Sequence, residues 1–127
     1  MAKFLRPLEG SIAEAFRILV GLLFVQHGLQ KLFGMFGGSS PADPVIWAAG
    51  TIELLGGGLV AAGLFTRWAA FFCSGTMAVA YFMVHAPKDF WPILNKGELS
   101  VLYCWAFLMI AARGPGPWSL DAMLRRH

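Results

Sequence analysis

Four long apolar segments constrain the fold of this 127-residue chain more than any other feature of its sequence. They cover residues 14–35, 45–65, 67–86 and 98–113. Each segment is close to the roughly 20 residues that an α-helix needs to cross the hydrocarbon core of a bilayer. The pattern predicts one all-α domain over residues 1–127, an integral membrane four-helix bundle with antiparallel up-down topology.

Three links separate these segments. They read GGSSPADP (37–44), FTR (65–67) and APKDFWPILNKG (86–97), and the first and third are rich in helix-ending residues such as Gly, Pro and Asp. Because the second link has only two or three residues, segments two and three must form an antiparallel hairpin.

The composition also favours a membrane protein. Hydrophobic residues make up 57% of the chain and charged residues 13%, against about 25% charged residues in ordinary soluble domains. The net charge of +3 comes from scattered basic residues, so we expect no nucleic-acid binding. The carboxylates of Glu9 and Glu14, without a small-residue cleavage site before the first segment, predict that no signal peptide is removed.

The distribution of Lys and Arg predicts the orientation. Seven of the ten basic residues fall on the side that holds both termini and the second link, and three fall on the other side. The seven are Lys3, Arg6, Arg17, Arg67, Arg113, Arg125 and Arg126; the three are Lys31, Lys88 and Lys96. Since basic residues concentrate on the cytoplasmic side, both termini are predicted to be cytoplasmic.

The first segment contains an unusual polar stretch, FVQHGLQKLFG at residues 24–34. On a helical wheel its polar residues share one arc: Gln26, His27, Gln30 and Lys31. The opposite side carries a stripe that we expect to face lipid, formed by Ile18, Leu22, Val25, Leu29 and Leu32.

The other segments carry polar residues at comparable depths. Glu53 shares a side of segment two with Gly50, Gly57 and Ala61, small residues that let another helix approach and would turn the carboxylate into the bundle. In segment three, residues at i+4 spacing form one ridge: Cys73, Met77, Tyr81 and His85. In segment four, a comparable stripe begins at Glu98 and continues through Leu102, Trp105 and Met109.

Depth estimates bring these groups together. Measured from Arg17, Arg67 and Arg113 as boundary markers, Lys31, Glu53 and Glu98 lie about 21–22 Å into the bilayer, with His27 at about 15 Å and His85 at about 27 Å. The sequence therefore predicts a polar cluster in the outer half of the bundle.

Ionisable groups in hydrocarbon usually mark a functional site, but structural interpretations stay open. Glu53 and Lys31 can form an ion pair that fastens the bundle, and His27 can be a hydrogen-bonded core histidine. Glu98 can simply begin a helix. The depth difference between His27 and His85 argues against a bis-histidine haem. Cys73 and Cys104 are interpreted as buried small hydrophobic residues, and the sequence leaves open whether they contact each other.

Several stretches resemble the DoxX family of small four-helix membrane proteins. They are RILVGLLFVQHGLQKLFG, ELLGGGLVAAGLFTRWAA, HAPKDFW...NKGELSVLY and GPGPWSLD (114–121), in the family's order. The resemblance implies a multi-pass protein of the bacterial plasma membrane, linked to oxidoreductase systems such as quinone-coupled sulfur oxidation. It supplies no catalytic motif, but it implies polar residues at the positions of His27, Lys31, Glu53, His85 and Glu98.

Three functional hypotheses follow. The first is a redox component that binds a quinone, possesses no redox centre of its own and takes electrons from a soluble or membrane partner. His27, Glu53 and His85 would be its catalytic residues, with Trp105, Phe82 and Met77 as an apolar slot. Its substrate-binding residues would be Gln26, Gln30, Lys31, Tyr81, Glu98 and Trp105.

The second hypothesis is a non-catalytic anchor or assembly subunit, whose basic LRRH tail contacts lipid or an enzyme. The third is metal or small-solute handling, with Met77 and Cys73 as soft ligands. Oligomers are compatible with each.

Overall fold

The computed structural model describes residues 2–35 and 44–125, and this part of the chain is helical without strands. Most of the GGSSPADP link and the end of the LRRH tail lie outside the described residues. Two short 3₁₀ turns, Ala2–Phe4 and Arg6–Leu8, precede the α-helices. The helices are α1 (Glu9–Phe33), α2 (Pro44–Ala62), α3 (Thr66–Ala80), α4 (Pro92–Asn95), α5 (Glu98–Arg113) and α6 (Leu120–Arg125).

Local backbone chemistry sets the ends of the long helices. α1 begins at Glu9, five residues before the predicted start, with an acidic residue in its first turn, where a carboxylate suits the helix dipole. It ends at Phe33, because the following residue, Gly34, has a left-handed φ of 68°. α2 ends at Ala62, before the predicted 65, because Gly63 takes a φ of 76°. α5 has the predicted bounds.

α3 continues into one turn of π-helix, Tyr81–His85. The amide of Ala86 donates to the carbonyl of Tyr81 at 2.8 Å, five residues earlier. Single π-turns of this kind occur often at functional sites. The helix therefore runs on from Thr66 to His85, but its hydrogen-bond pattern changes from α to π in the last turn, which contains His85.

Helices α1 and α2 pack closely through glycine. A Cβ atom on Gly21 would lie 2.6 Å from the amide nitrogen of Ala61, and one on Gly28 would lie 2.6 Å from that of Leu54. Residue numbers thus rise along α1 as they fall along α2. The close approach expected from the small residues of segment two is observed, and Glu53 is buried.

The same contacts correct the expected lipid face of α1. Val25 and Leu32 are half-buried, and both lie against glycines of α2, at Gly57 and Gly50 respectively. The helical wheel failed here because an apolar stripe can pack against another helix as well as against lipid, so that polarity alone does not distinguish the two contacts.

A second helix pair is formed by α3 and α5. The hydroxyl of Ser74 donates to the carbonyl of Cys104 at 2.8 Å. Phe24 of α1 joins the two pairs, because its ring centroid lies 4.7 Å from that of Phe107 and 5.2 Å from that of Tyr103. The core cluster comprises Val20, Phe24, Val60, Ala69, Ala70, Cys73, Met77, Tyr103, Phe107 and Ile110.

At one end the two pairs are fastened by polar side chains, and we call this the capped end. It contains Arg17, Gly63, Arg67 and the segment 114–121 (GPGPWSLD), which we call the strap. Arg17, only 2% exposed, donates to the α2 carbonyls of Val60 at 2.6 Å and Ala61 at 3.0 Å. A cation suits the carbonyls that a helix leaves unbonded at its C-terminus.

The strap completes this end. Arg17 donates to the carbonyl of Trp118 at 2.7 Å, and the amide of Trp118 donates to buried Glu14 at 2.8 Å. Asp121 accepts hydrogen bonds from the amides of Phe65 and Thr66, both at 2.9 Å. Since α3 has no N-cap side chain of its own, the strap provides the cap from 55 residues away along the chain.

Arg67 has a similar role on the other pair. Its guanidinium donates to the carbonyls of Ala111 at 3.1 Å and Ala112 at 2.9 Å, in the last turn of α5. Arginines that the sequence offered as boundary markers thus also bond the carbonyl ends of two helices.

Two helices are long and apolar enough to cross a membrane: α2, and the continuous helix Thr66–His85. Among the other long helices, α1 carries four charged residues and α5 has only 16 residues. The four are Glu9, Glu14, Arg17 and Lys31. The described chain is therefore all-α with two candidate membrane spans.

Candidate functional site

A cavity of about 830 Å³ lies between the two helix pairs, at the end opposite the capped end. We call this the cavity end. All four long helices contribute to its walls, which are mostly apolar. The polar or ionisable lining residues are His27, Lys31, Glu53, Thr76, His85, Lys96, Ser100 and Tyr103.

Lys31 and Glu53 form an ion pair in the cavity wall. The ammonium of Lys31 donates to Oε1 of Glu53 at 2.7 Å, and this pair joins α1 to α2. The Lys31 side chain is 32% exposed, whereas that of Glu53 is 2% exposed. The ion pair, which the sequence analysis left open as one alternative, is therefore present. The pair does not satisfy the carboxylate completely, because Oε2 of Glu53 finds no hydrogen-bond partner among the described residues.

His27 and Tyr103 face each other across the helix pairs. Their ring centroids are 5.7 Å apart at an interplanar angle of 87°, an edge-to-face contact. Within residues 2–35 and 44–125, neither the imidazole nor the phenol makes a hydrogen bond. Together with Oε2 of Glu53, they give the cavity three polar groups with unused hydrogen-bonding capacity.

His85 lines the cavity from the π-turn. Its Nδ1 lies 3.0 Å from the carbonyl of Asn95. Since a carbonyl only accepts, Nδ1 carries the hydrogen of this bond. The imidazole is thereby held by the link between α3 and α5.

Asn95, which is buried, organises that link. Its amide group donates to the hydroxyl of Tyr81 at 3.1 Å and to the carbonyl of Asp89 at 2.9 Å. Its side-chain oxygen accepts from the amide of Gly97 at 2.8 Å. Tyr81 therefore supports the link and does not line the cavity.

The predicted site residues divide into two groups. His27, Lys31, Glu53, His85 and, from the predicted slot, Met77 line one cavity. Outside its lining lie Gln26, Gln30, Tyr81, Phe82, Glu98 and Trp105.

The geometry of the helices explains the second group. Gln26 is exposed because the buried side of α1 runs through Phe24 and Gly28. Glu98 is exposed in the first turn of α5, where its charge suits the helix N-terminus. Trp105 is 66% exposed, since α5 turns another stripe inward.

Sequence reasoning missed Tyr103 and Asn95. Tyr103 belongs to the stripe Leu99, Tyr103, Phe107 and Ile110, which is the inward side of α5. A mid-segment tyrosine in an i, i+4, i+8 apolar series is the signal that could have identified it. Asn95 gave no such signal, because its role depends on contacts that form only when the link folds.

Thiol chemistry and metal binding are less well supported by the geometry than ligand binding in the cavity. Cys73 and Cys104 are both free thiols. Cys73 is buried against Gly56 of α2, and the sulfur of Cys104 lies 3.4 Å from the hydroxyl of Ser74. In the described part of the chain, no three His, Cys, Asp or Glu side chains are grouped as metal ligands would be.

The family model of DoxX matches residues 12–86, which is more than half of the chain. This chain belongs to the DoxX family. DoxX is a membrane family, and the matched residues of this member include His27, Lys31, Glu53 and His85. An uncharacterized protein of Haemophilus influenzae is 42% identical over 113 residues, which covers 83% of this chain and 84% of that relative. No solved structure matches this DoxX member.

Proposed function

We propose that this DoxX member is the membrane component of a quinone-linked redox system, with the quinone bound in the cavity. In this proposal α1, α2, α3 and α5 form an antiparallel up-down bundle across the bacterial plasma membrane, with both termini cytoplasmic. The charges of Glu14 and Arg17 do not oppose insertion of α1, because both side chains are buried and bonded inside the protein.

The observation that carries the proposal is the composition of the cavity. Ligand cavities of about 300–1,000 Å³ are typically apolar with a few convergent polar groups, and this one holds about 830 Å³. Lys31 and His27 can donate hydrogen bonds to a quinone carbonyl. Oε2 of Glu53, which lacks a partner among the described residues, can accept one from a hydroquinone hydroxyl.

Protons and electrons would take separate routes. Reduction of a quinone to a hydroquinone needs two electrons and two protons, and a soluble or membrane partner protein would provide the electrons. Glu53 can exchange a proton with the bound oxygen. His85 can relay protons between the cavity and the outer face, since an imidazole has one nitrogen that donates and one that accepts.

A second candidate function, a non-catalytic anchor or assembly subunit, is favoured by one specific observation. The Lys31–Glu53 contact of 2.7 Å joins α1 to α2 without any ligand, as a structural ion pair would. Under this alternative the polar cluster only fastens the bundle.

Purification from native membrane separates these functions. Bound quinone is measured in the native chain and in the variants His27→Ala and Glu53→Gln. Gln26→Ala is the matched control, because Gln26 neighbours His27 but is exposed outside the cavity lining. We expect quinone in the native chain and in the control, and its loss in the two cavity variants.

The contradicting results are equally specific. A native chain that retains no quinone under conditions that preserve quinone in other membrane proteins would reject the redox proposal. Equal retention in all four proteins would show that quinone binds elsewhere. An unfolding temperature lowered in Glu53→Gln, with no quinone in any protein, would favour the anchor.

A further inference from the structure

We infer that the cavity opens sideways to the lipid between α2 and α3, so that its ligand is a lipid-phase molecule whose apolar chain leaves through this mouth. The inference rests on the proposed function and deepens it, because it assigns the class and the path of the ligand. The mouth is defined by Ala48 and Ile52 of α2 with Phe72, Gly75 and Val79 of α3.

These residues line the cavity and are also exposed at the protein surface. Ile52 is 40% exposed and Phe72 is 63% exposed. Residues that line the cavity and are also exposed mark an opening, and Val45, Ile46, Met83 and Val84 continue it between the same two helices towards the cavity end. All five mouth residues are apolar, so the rim offers a water-soluble solute no hydrogen bond.

The threonine hydroxyls next to the mouth residues are already used, and that of Thr51 donates to the carbonyl of Trp47 at 2.9 Å. Thr76 lines the cavity between Gly75 and Val79, and its hydroxyl donates to the carbonyl of Phe72 at 2.8 Å within the same helix. It therefore adds no free polar group to the opening.

The position of the mouth places it in the bilayer. It lies between α2 and the helix Thr66–His85, the two helices that are long and apolar enough to cross a membrane. Ile52 and Gly75 stand near the middle of these helices. An opening at this height faces acyl chains and not the aqueous phase.

Polarity rises from the mouth towards the interior. Glu53 and Tyr103 are both nearly inaccessible to solvent, while His27 is half-buried. A ligand with a polar ring and an apolar chain would thus enter ring first. His85 and Lys96 line another part of the cavity wall, and their polar groups disfavour an apolar chain there.

The inference is tested with proteoliposomes and two quinones that share one ring. A quinone with a long isoprenoid chain is dissolved in the lipid, and its chainless analogue is added from water. Association rates are measured for the native chain and for Gly75→Trp. A Cβ atom at Gly75 would have no neighbour within 4 Å, so a side chain can start from this position without a clash at its Cβ atom.

Ile52→Trp narrows the same mouth from the opposite wall and guards against a defect specific to one variant. Phe82→Trp is the matched control, since Phe82 is exposed on the same continuous helix as Gly75 but lies outside the cavity lining. We expect both mouth variants to slow association of the long-chain quinone by about tenfold. The control should leave that rate unchanged, and no variant should slow the chainless analogue.

The outcomes separate this inference from the proposed function. If the native chain binds both quinones and the mouth variants slow neither, the sideways path is overturned and the proposed function stands. If the mouth variants slow both quinones equally, both quinones enter through the mouth, and the assignment of this mouth to ligands that carry an apolar chain is overturned. If the native chain binds neither quinone, the proposed function falls, and this inference with it.

Discussion

The capped end and the cavity end of the molecule both contain buried charge, but they use it differently. At the capped end Arg17 makes three hydrogen bonds to backbone carbonyls, although its Nε has no partner among the described residues. At the cavity end Glu53 has one ionic partner, and its second oxygen faces no described donor. In our proposal the first end serves stability and the second binds a ligand, and this difference in bonding supports it.

The largest expected effect is on the capped end. Arg17→Met removes a buried cation that lies 3.5 Å from Glu14 and bonds three carbonyls, and we expect it to lower the free energy of unfolding by about 3–5 kcal/mol. Denaturant unfolding in detergent measures the change. Arg113→Ala is the control, because its ion pair with Glu9 at 3.0 Å is exposed and should contribute at most about 1 kcal/mol. Equal losses in the two variants would remove the distinction between the ends.

A smaller loss is expected where α1 and α2 approach each other. Gly28→Ala places a methyl group 2.6 Å from the backbone of Leu54, and such overpacking should cost about 1–3 kcal/mol. It should also separate Lys31 from Glu53 and reduce quinone retention. Gly10→Ala, in the same helix, meets no atom within 4 Å and should be neutral or slightly stabilising. A Gly28 variant as stable as the Gly10 variant would contradict the close packing.

The cap that the strap gives to α3 should have a moderate effect. Asp121→Ala removes the acceptor of the Phe65 and Thr66 amides, and losing an N-cap costs about 0.5–2 kcal/mol. Thermal unfolding measures this loss. Quinone retention should stay unchanged because the cap is at the opposite end from the cavity. A loss of retention with unchanged stability would contradict the separate roles of the two ends.

The smallest effect on stability is expected at Tyr103. Its hydroxyl makes no hydrogen bond within the described residues, so Tyr103→Phe should leave the unfolding temperature nearly unchanged. If that hydroxyl bonds the ligand, affinity should fall by about two- to tenfold. Titration of the reconstituted variant with quinone measures the affinity. Reduced stability with native affinity would assign Tyr103 to structure.

Much of the fold could be predicted because it follows from apolar length and helix-ending residues. The bounds of α5, the burial of Glu53 and its pairing with Lys31 all follow from spacing and depth along straight helices. The end of α2 was placed three residues too late, at 65, because the left-handed conformation of Gly63 was not recognised in the sequence. The polar residues at the cavity end were similarly visible, since His27 and Lys31 interrupt an otherwise apolar segment.

What could not be predicted depends on contacts between distant segments. The stripe of α5 that begins at Glu98 and the one that contains Tyr103 are both apolar enough to face either lipid or protein. Polarity therefore could not choose between them. The strap was recognisable only as part of the family resemblance. Its bonds to Glu14, Arg17 and Thr66 span 55 to 104 residues of sequence, beyond the reach of local patterns.

The most direct test of the central claim is the thermal stability of the reconstituted chain with and without long-chain quinone. A ligand that binds only the folded state raises the unfolding temperature. Quinone should raise it for the native chain and for Gln26→Ala, and should leave it unchanged for Glu53→Gln. An equal rise in all three proteins, or no rise in the native chain, would contradict the claim that the cavity end is a ligand site.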